Sequence, residues 1–284
     1  MRKIAKITTK AITLILAVLV VGYIVFCLLA YLFPQLFYYA PSPSSSNLEF
    51  ALSEGYQAEK VFYESADGTP LLAWYTKPAP GRPVILFFHG NAGKIEFFYH
   101  KLQPLTERGY GAFMAEYRGF GGLKGTIRQK NLNADAAAAL EYLYRLGYKN
   151  SDIIIYGLSM GSHMALNTAD SFQDRGAFRA VLLEVPFDSL LNVVKTIVPV
   201  PMPFDLVVRD YYDNVPLVKR LKSPLLVMGG KEDELVPVER AKNLFMQAHE
   251  PKKLIVYPLA GHNSLFDHKN YIDIMKWLER YEKA

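Results

Sequence analysis

Apolar residues fall along this chain in distinct patterns. From Ala11 to Phe33 no residue is charged, and only Thr13 and Gly22 interrupt an aliphatic and aromatic run. As a helix of roughly 23 residues rising about 1.5 Å each, this run spans the hydrocarbon core of a bilayer. From about residue 58 the chain turns to short apolar runs. Lys60 to Tyr63 and Leu71 to Tyr75 flank Asp67-Gly68, a hairpin-type turn. Val84 to Phe88, Gly111 to Glu116, Ile153 to Tyr156, Ala180 to Leu183, Leu225 to Met228 and Leu254 to Tyr257 follow. Between them lie stretches of helical character: Ile95 to Arg108, Ala134 to Leu146, Met160 to Thr168, Val238 to Ala248 and Tyr271 to Tyr281. Strands without a polar face, alternating with helices, predict an α/β fold with a largely parallel sheet covered on both sides.

Two segments escape that alternation. Residues 34–47 carry three prolines and a serine run, which predicts a linker, with Phe37, Tyr38 and Tyr39 at the membrane interface. After the Ala180 strand come about 35 residues of irregular composition holding Pro199, Pro201, Pro203 and the apolar Val198, Val200, Met202 and Phe204. Loops of that length in compact domains are usually functional, so residues 186–222 are expected to form a small cap. The expected plan is a basic tail (1–10), a membrane anchor (11–33), a linker (34–47) and one catalytic domain (48–284).

Charge sharpens this picture. The 284 residues carry a net +5, but Arg2, Lys3, Lys6 and Lys10 precede the apolar run and the rest is nearly balanced. The basic excess therefore belongs to a tail, and no nucleic-acid surface is expected. Basic residues before the apolar run predict a single-pass protein with a cytoplasmic N-terminus and its body across the membrane. A cleaved signal peptide is the competing reading, but the run is longer than such an apolar region and lacks a small-x-small end. The single cysteine, Cys27, lies inside the run, so no disulfide or thiolate metal site is expected in the body.

The chemistry centres on Ile153-Ile-Ile-Tyr-Gly157-Leu-Ser159-Met-Gly161. A β-prone run passes through Gly-x-Ser-x-Gly straight into a helix, the strand–turn–helix context of a nucleophile elbow. Gly157 and Gly161 are required because Cβ atoms there would strike the neighbouring strand and helix. A serine hydroxyl needs a base, and the base needs an orienting acid. His262, in a flexible turn after the last strand, sits where catalytic groups gather at the carboxyl edge of a parallel sheet. His163 is too close to Ser159 in sequence, His100 lies in a predicted helix, and His249 and His268 stand at helix ends. The acid is best placed after the Leu225 strand, at Asp233, with Glu184 at the end of the preceding strand as the competitor. Backbone N–H groups of Met160 and of Asn91, after His89-Gly90, are the expected oxyanion donors. His89 either braces that loop or takes a closer part in the site. Gly90-Asn-Ala-Gly-Lys94 and Gly119-Phe-Gly-Gly-Leu-Lys124 fail as phosphate-binding and dinucleotide-binding loops, lacking required glycines and the Ser/Thr. No cofactor or metal is expected.

Phe33-Pro-Gln-Leu-Phe-Tyr-Tyr-Ala-Pro, Phe88-His-Gly-Asn-Ala-Gly, Tyr117-Arg-Gly-Phe-Gly, Tyr156-Gly-Leu-Ser-Met-Gly, Tyr212-Asp-Asn, Asp233-Glu-Leu-Val-Pro and Gly261-His-Asn occur in that order. Taken together they resemble the membrane-anchored α/β-hydrolase-domain family, which includes protein depalmitoylases and lysophospholipases. The resemblance implies an eight-stranded hydrolase sheet and a triad of Ser159, Asp233 and His262. Leu123 and Ser162 depart from the family's usual residues without touching that triad. The expected function is hydrolysis of carboxylic esters or thioesters, through an acyl-enzyme, on apolar acyl or lipid substrates at a membrane. The alternatives are a peptidase of the same fold and a catalytically inactive binding module.

Overall fold

In the computed structural model, residues 2–33, 35–198 and 202–282 are described. Ten strands follow one another as β1 (Ala40–Pro41), β2 (Glu59–Glu64), β3 (Pro70–Thr76), β4 (Val84–Phe88), β5 (Ala92–Gly93), β6 (Gly111–Ala115), β7 (Ile153–Leu158), β8 (Ala180–Glu184), β9 (Leu225–Gly230) and β10 (Lys252–Tyr257). Eight of them form one sheet in the order β10-β9-β8-β7-β4-β6-β3-β2. The β2–β3 hairpin and the β3–β6 pair are antiparallel, and every other neighbouring pair runs parallel. Strands β4, β6, β7, β8 and β9 are buried along their whole length, which is why they read as unbroken apolar runs. The sheet divides the core into two layers. One packs helices Gln129–Arg145 and Gly161–Phe172 through residues such as Leu140, Ala165 and Phe113. The other packs Tyr99–Thr106 and Asn270–Glu282 through Leu102, Trp277 and Met114.

The parallel strands all present their carboxyl ends to one edge, and the elbow after β7 lies at its centre. After β8, the sixth strand of the large sheet, helices Leu190–Ile197, Phe204–Val207 and Val215–Arg220 form the expected cap. Pro199, Val200 and Pro201, part of its expected apolar cluster, fall outside the described residues.

Two expectations are corrected. The helix foreseen from Ile95 to Arg108 is broken: a 3₁₀ turn covers Ile95–Phe97 and the α-helix covers Tyr99–Thr106. The Ile95 N–H is taken by the buried Glu116 carboxylate at 3.0 Å, and the Phe97 and Phe98 N–H groups close tight three-residue bonds onto the Lys94 and Ile95 carbonyls at 3.0 and 2.9 Å. More consequentially, the segment expected to be a linker is packed on the body. A short helix, Gln35–Tyr38, is followed by β1, which pairs in parallel with β5. Tyr39 is buried, Tyr38 half-buried and Phe37 exposed, and all three line the cavity over the elbow.

The N-terminal helix runs from Arg2 to Leu32. Its stretch Lys10–Leu32, 23 residues, is long and apolar enough to cross a membrane. Its end meets the body at two places. Phe26 packs edge-on against Phe37 with ring centres 5.6 Å apart, and the Arg209 guanidinium lies 4.8 Å from the Tyr31 ring centre.

Candidate active site

The turn between β7 and helix Gly161–Phe172 forces Ser159 to φ +51°, a left-handed value that a non-glycine residue adopts at a cost of about 1–3 kcal/mol. The surroundings hold it there. Ser159 N–H donates to the Glu184 carbonyl at 2.8 Å, and Ser162 N–H donates back to the Ser159 carbonyl at 2.9 Å. A Cβ on Gly157 would come within 2.4 Å of the Gly161 carbonyl oxygen, and one on Gly161 within 2.0 Å of the Phe88 carbonyl oxygen. Only glycine fits at both positions, as the sequence pattern required.

Ser159 Oγ lies 3.0 Å from His262 Nε2. On the other side of the ring, His262 Nδ1 lies 2.7 Å from Asp233 Oδ2. Because an ionised carboxylate only accepts, the arrangement places the ring proton on Nδ1 and leaves Nε2 to accept from the serine hydroxyl. Asp233 is fixed through its second oxygen, which accepts the N–H groups of Leu235 at 3.0 Å and Val236 at 2.7 Å. Glu232 and Glu234 beside it are exposed. The His262 turn is closed by Gly261 N–H donating to Ser264 Oγ at 2.9 Å.

Glu184, the competing acid, is bonded to other partners. Its carboxylate is fully buried, accepts from Lys101 Nζ at 2.8 Å and from the Tyr156 hydroxyl, and serves the core beneath the elbow. Burial, with the Glu184 charge beside it, holds the Tyr156 hydroxyl well above its ordinary pKa, so it remains a donor.

Asn91 and Met160 flank Ser159 at the cavity. Gly90 approaches the elbow so closely that a Cβ there would sit 3.6 Å from the Ser159 Cβ. His89 is fully buried, with Nδ1 2.8 Å from the Gly90 carbonyl and Nε2 3.0 Å from Glu116, and so braces the loop from beneath.

The cavity over Ser159 holds about 170 Å³. Phe187, Leu190, Val193, Val194 and Ile197 wall it from the cap side, Phe37 and Tyr39 from the N-terminal segment, and Leu235 and Val236 from the Asp233 loop. Among the described residues lining it none carries a formal charge apart from the titratable His262. His163 is not part of it: buried on helix Gly161–Phe172, it lies 2.8 Å from Asn214 Oδ1 and 3.0 Å from Gln129 Nε2. Burial pushes its pKa down to about 4 against a smaller upward pull from Asn214. Among the described residues no cluster of metal-ligating side chains occurs.

Residues 79–197 match the family model described as serine aminopeptidase, S33. An uncharacterized protein of Mycobacterium tuberculosis is 32% identical over 243 residues, covering 83% of this chain and 82% of that one. The α/β-hydrolase domain-containing protein WAV2 of Arabidopsis thaliana is 30% identical over 206 residues, 67% of this chain and 66% of its own. A Saccharomyces cerevisiae protein named an uncharacterized membrane protein is 28% identical over 229 residues, 79% of this chain and 80% of its own. Among solved structures, an α/β hydrolase from Vibrio vulnificus superposes with a TM-score of 0.68 at 24% identity, over 81% of this chain and 84% of that chain. With the sheet order, the elbow and these relatives in agreement, the chain belongs to the α/β-hydrolase family, and hydrolysis is the chemistry that this membership supports.

Proposed function

We propose that the protein is a membrane-anchored serine hydrolase that cleaves carboxylic ester or thioester bonds of apolar acyl substrates. One observation carries the reading: Ser159, His262 and Asp233 form a continuous hydrogen-bonded row that opens into an apolar cavity. In the mechanism, Ser159 Oγ attacks the acyl carbon while His262 Nε2 takes its proton. Asp233 holds the tautomer and stabilises the imidazolium. The Asn91 and Met160 N–H groups receive the negative charge on the former carbonyl oxygen, a contribution of about 2.7–4 kcal/mol per donor. Collapse breaks the bond to the alcohol or thiol, which leaves with the His262 proton. Water then repeats the sequence and releases the acid from Ser159.

The description of the matching family favours a second reading, an aminopeptidase. A free amino terminus needs a carboxylate to hold it, and no acidic residue occurs among the described lining residues. This favours the ester reading. The apolar helix supports the anchor, and the basic residues before it favour a cytoplasmic N-terminus with the catalytic body opposite.

Labelling with a fluorophosphonate tests the core of the proposal. Wild type should bind one equivalent and Ser159→Ala none, with unchanged circular dichroism; a folded Ser159→Ala chain that still takes label overturns it. A panel of p-nitrophenyl esters against aminoacyl amides separates the two readings.

A further inference from the structure

The segment that joins the membrane helix to the body is bonded along its length to the loop that carries Asn91. Ala40 N–H donates to the Asn91 carbonyl and Ser42 N–H to the Gly93 carbonyl, both at 2.9 Å. The Asn91 side-chain amide donates in the opposite direction, to the Tyr38 carbonyl at 2.8 Å. Further along, Lys94 Nζ reaches the Ser45 carbonyl at 3.0 Å, and Asn47 N–H donates to Glu96 at 2.6 Å. Ser46 Oγ donates at 3.0 Å to Glu116, the same carboxylate that holds His89 and the Ile95 N–H.

The loop has little of its own to fix it. It begins and ends in glycine, and Gly93 sits at φ +80°, so its unrestrained backbone has many conformations to choose from. Neither the Asn91 N–H nor the Met160 N–H is taken up by a backbone carbonyl among the described residues, and both residues border the cavity beside Ser159. Asn91 is thus held through its carbonyl and its side chain by residues 38–40, which leaves its own N–H free for the cavity.

We propose that residues 38–47 are a positioning element of the oxyanion hole: the strap between membrane helix and body holds the Asn91 N–H where charge develops. The proposal rests on the reading of Ser159 as nucleophile. Backbone donors act by being oriented before the reaction begins. A misplacement of about 1 Å at such a site costs on the order of a hundredfold in rate.

Two substitutions in the full chain test it. Ala40→Pro deletes the N–H that holds the Asn91 carbonyl, at an exposed position where the next residue is already proline. Asn91→Ala deletes the bond to the Tyr38 carbonyl and keeps the Asn91 backbone N–H. Active sites are counted by fluorophosphonate stoichiometry, so that kcat refers to folded molecules only. For each variant kcat on p-nitrophenyl butyrate should fall about 10- to 100-fold, with KM changed by less than about threefold. Affinity for an alkyl trifluoromethyl ketone, whose adduct oxygen occupies the hole, should weaken by the same factor as kcat/KM. If Ala40→Pro does not fold, Asn91→Ala decides alone. A kcat per labelled site within about twofold of wild type, or a loss confined to KM, overturns the proposal. A wild type that takes no label removes the nucleophile reading and the proposal with it; a labelled, active wild type isolates the strap.

Discussion

The hydroxyls of Tyr39 and Tyr212 lie 2.6 Å apart across 173 positions of sequence. Tyr39 also donates to Asp210 at 3.3 Å, and Asp210 is paired with Arg128 at 2.9 Å. Burial, then the nearby Asp210 charge, pushes the Tyr39 hydroxyl up, so that both phenols stay protonated and one donates to the other. Tyr39→Phe and Tyr212→Phe should each cost about 1–2 kcal/mol, because each leaves a buried partner short of a bond. The double variant should lose less than the sum of the two. Urea unfolding of the four chains measures the cycle; strictly additive losses would show that the hydroxyl pair contributes nothing.

Asp233 and Glu184 should separate cleanly into activity and stability. Asp233→Asn keeps the packing but favours the wrong imidazole tautomer, lowering kcat by up to about 10⁴-fold. Glu184→Gln leaves Lys101 buried beside a neutral group, so it should destabilise by about 3–5 kcal/mol with a much smaller effect on kcat per active site. Steady-state kinetics normalised to labelled sites, with melting curves, checks both. A reversal of the two profiles would return the acid to Glu184.

His163 predicts an acid limb in stability. Its neutral form donates from Nδ1 to Asn214 and accepts at Nε2 from Gln129, and a second ring proton would face the Gln129 donor. With a folded pKa near 4 against an ordinary imidazole value of 6.5, the unfolded chain binds more protons between those values. Stability is therefore full above about pH 6.5 and falls as pH drops towards 4, by up to about 3 kcal/mol. His163→Gln should flatten that limb. Unfolding free energies from pH 7.5 to 4.5 for both chains test it, and equal slopes would remove His163 as the cause.

Removing residues 1–33 leaves the Tyr39, Ala40 and Ser46 contacts in place. Turnover of a short soluble ester should then stay within about twofold, while turnover of a long-chain ester in vesicles falls with the lost local concentration. Equal loss on both substrates would make the helix a structural part of the body. For orientation, Met246→Cys places a thiol on an exposed helix surface once Cys27 is replaced. An impermeant maleimide should label it in intact cells. Labelling only after permeabilisation would put the body in the cytoplasm.

The elements that sequence reading found were those whose patterns are local. Ile153–Leu158 is apolar because it is buried on both faces, and Gly157 and Gly161 are glycine because backbone carbonyls crowd them, so the elbow announces itself. The turn at His262 and the loop at Asp233 follow from strand ends in the same way. What composition could not convey was the strap. Its prolines and serines suit a solvated linker, yet its bonds to Asn91, Gly93 and Glu96 come chiefly from its backbone, which has the same chemistry whatever the side chains. Tyr39 was the one available signal: an aromatic residue whose hydroxyl finds partners among the buried Asp210 and Tyr212. Glu116 was hidden for a related reason, since its several bonds join segments far apart in sequence.

On the proposed membrane-anchored reading, the pairing of β1 with β5 also sets the terms on which proteolysis would shed the body. The exposed Pro43, Ser44 and Ser45 offer a cleavage site, and so does the junction at the exposed Phe33, just after the N-terminal helix. A cut at the junction frees a body that keeps Ala40 on Asn91 and Tyr39 on Tyr212. A cut at 43–45 frees one whose strap is held only by its own short contacts and can leave with the anchor. The first would release a working hydrolase, and the second would release and silence it in one event.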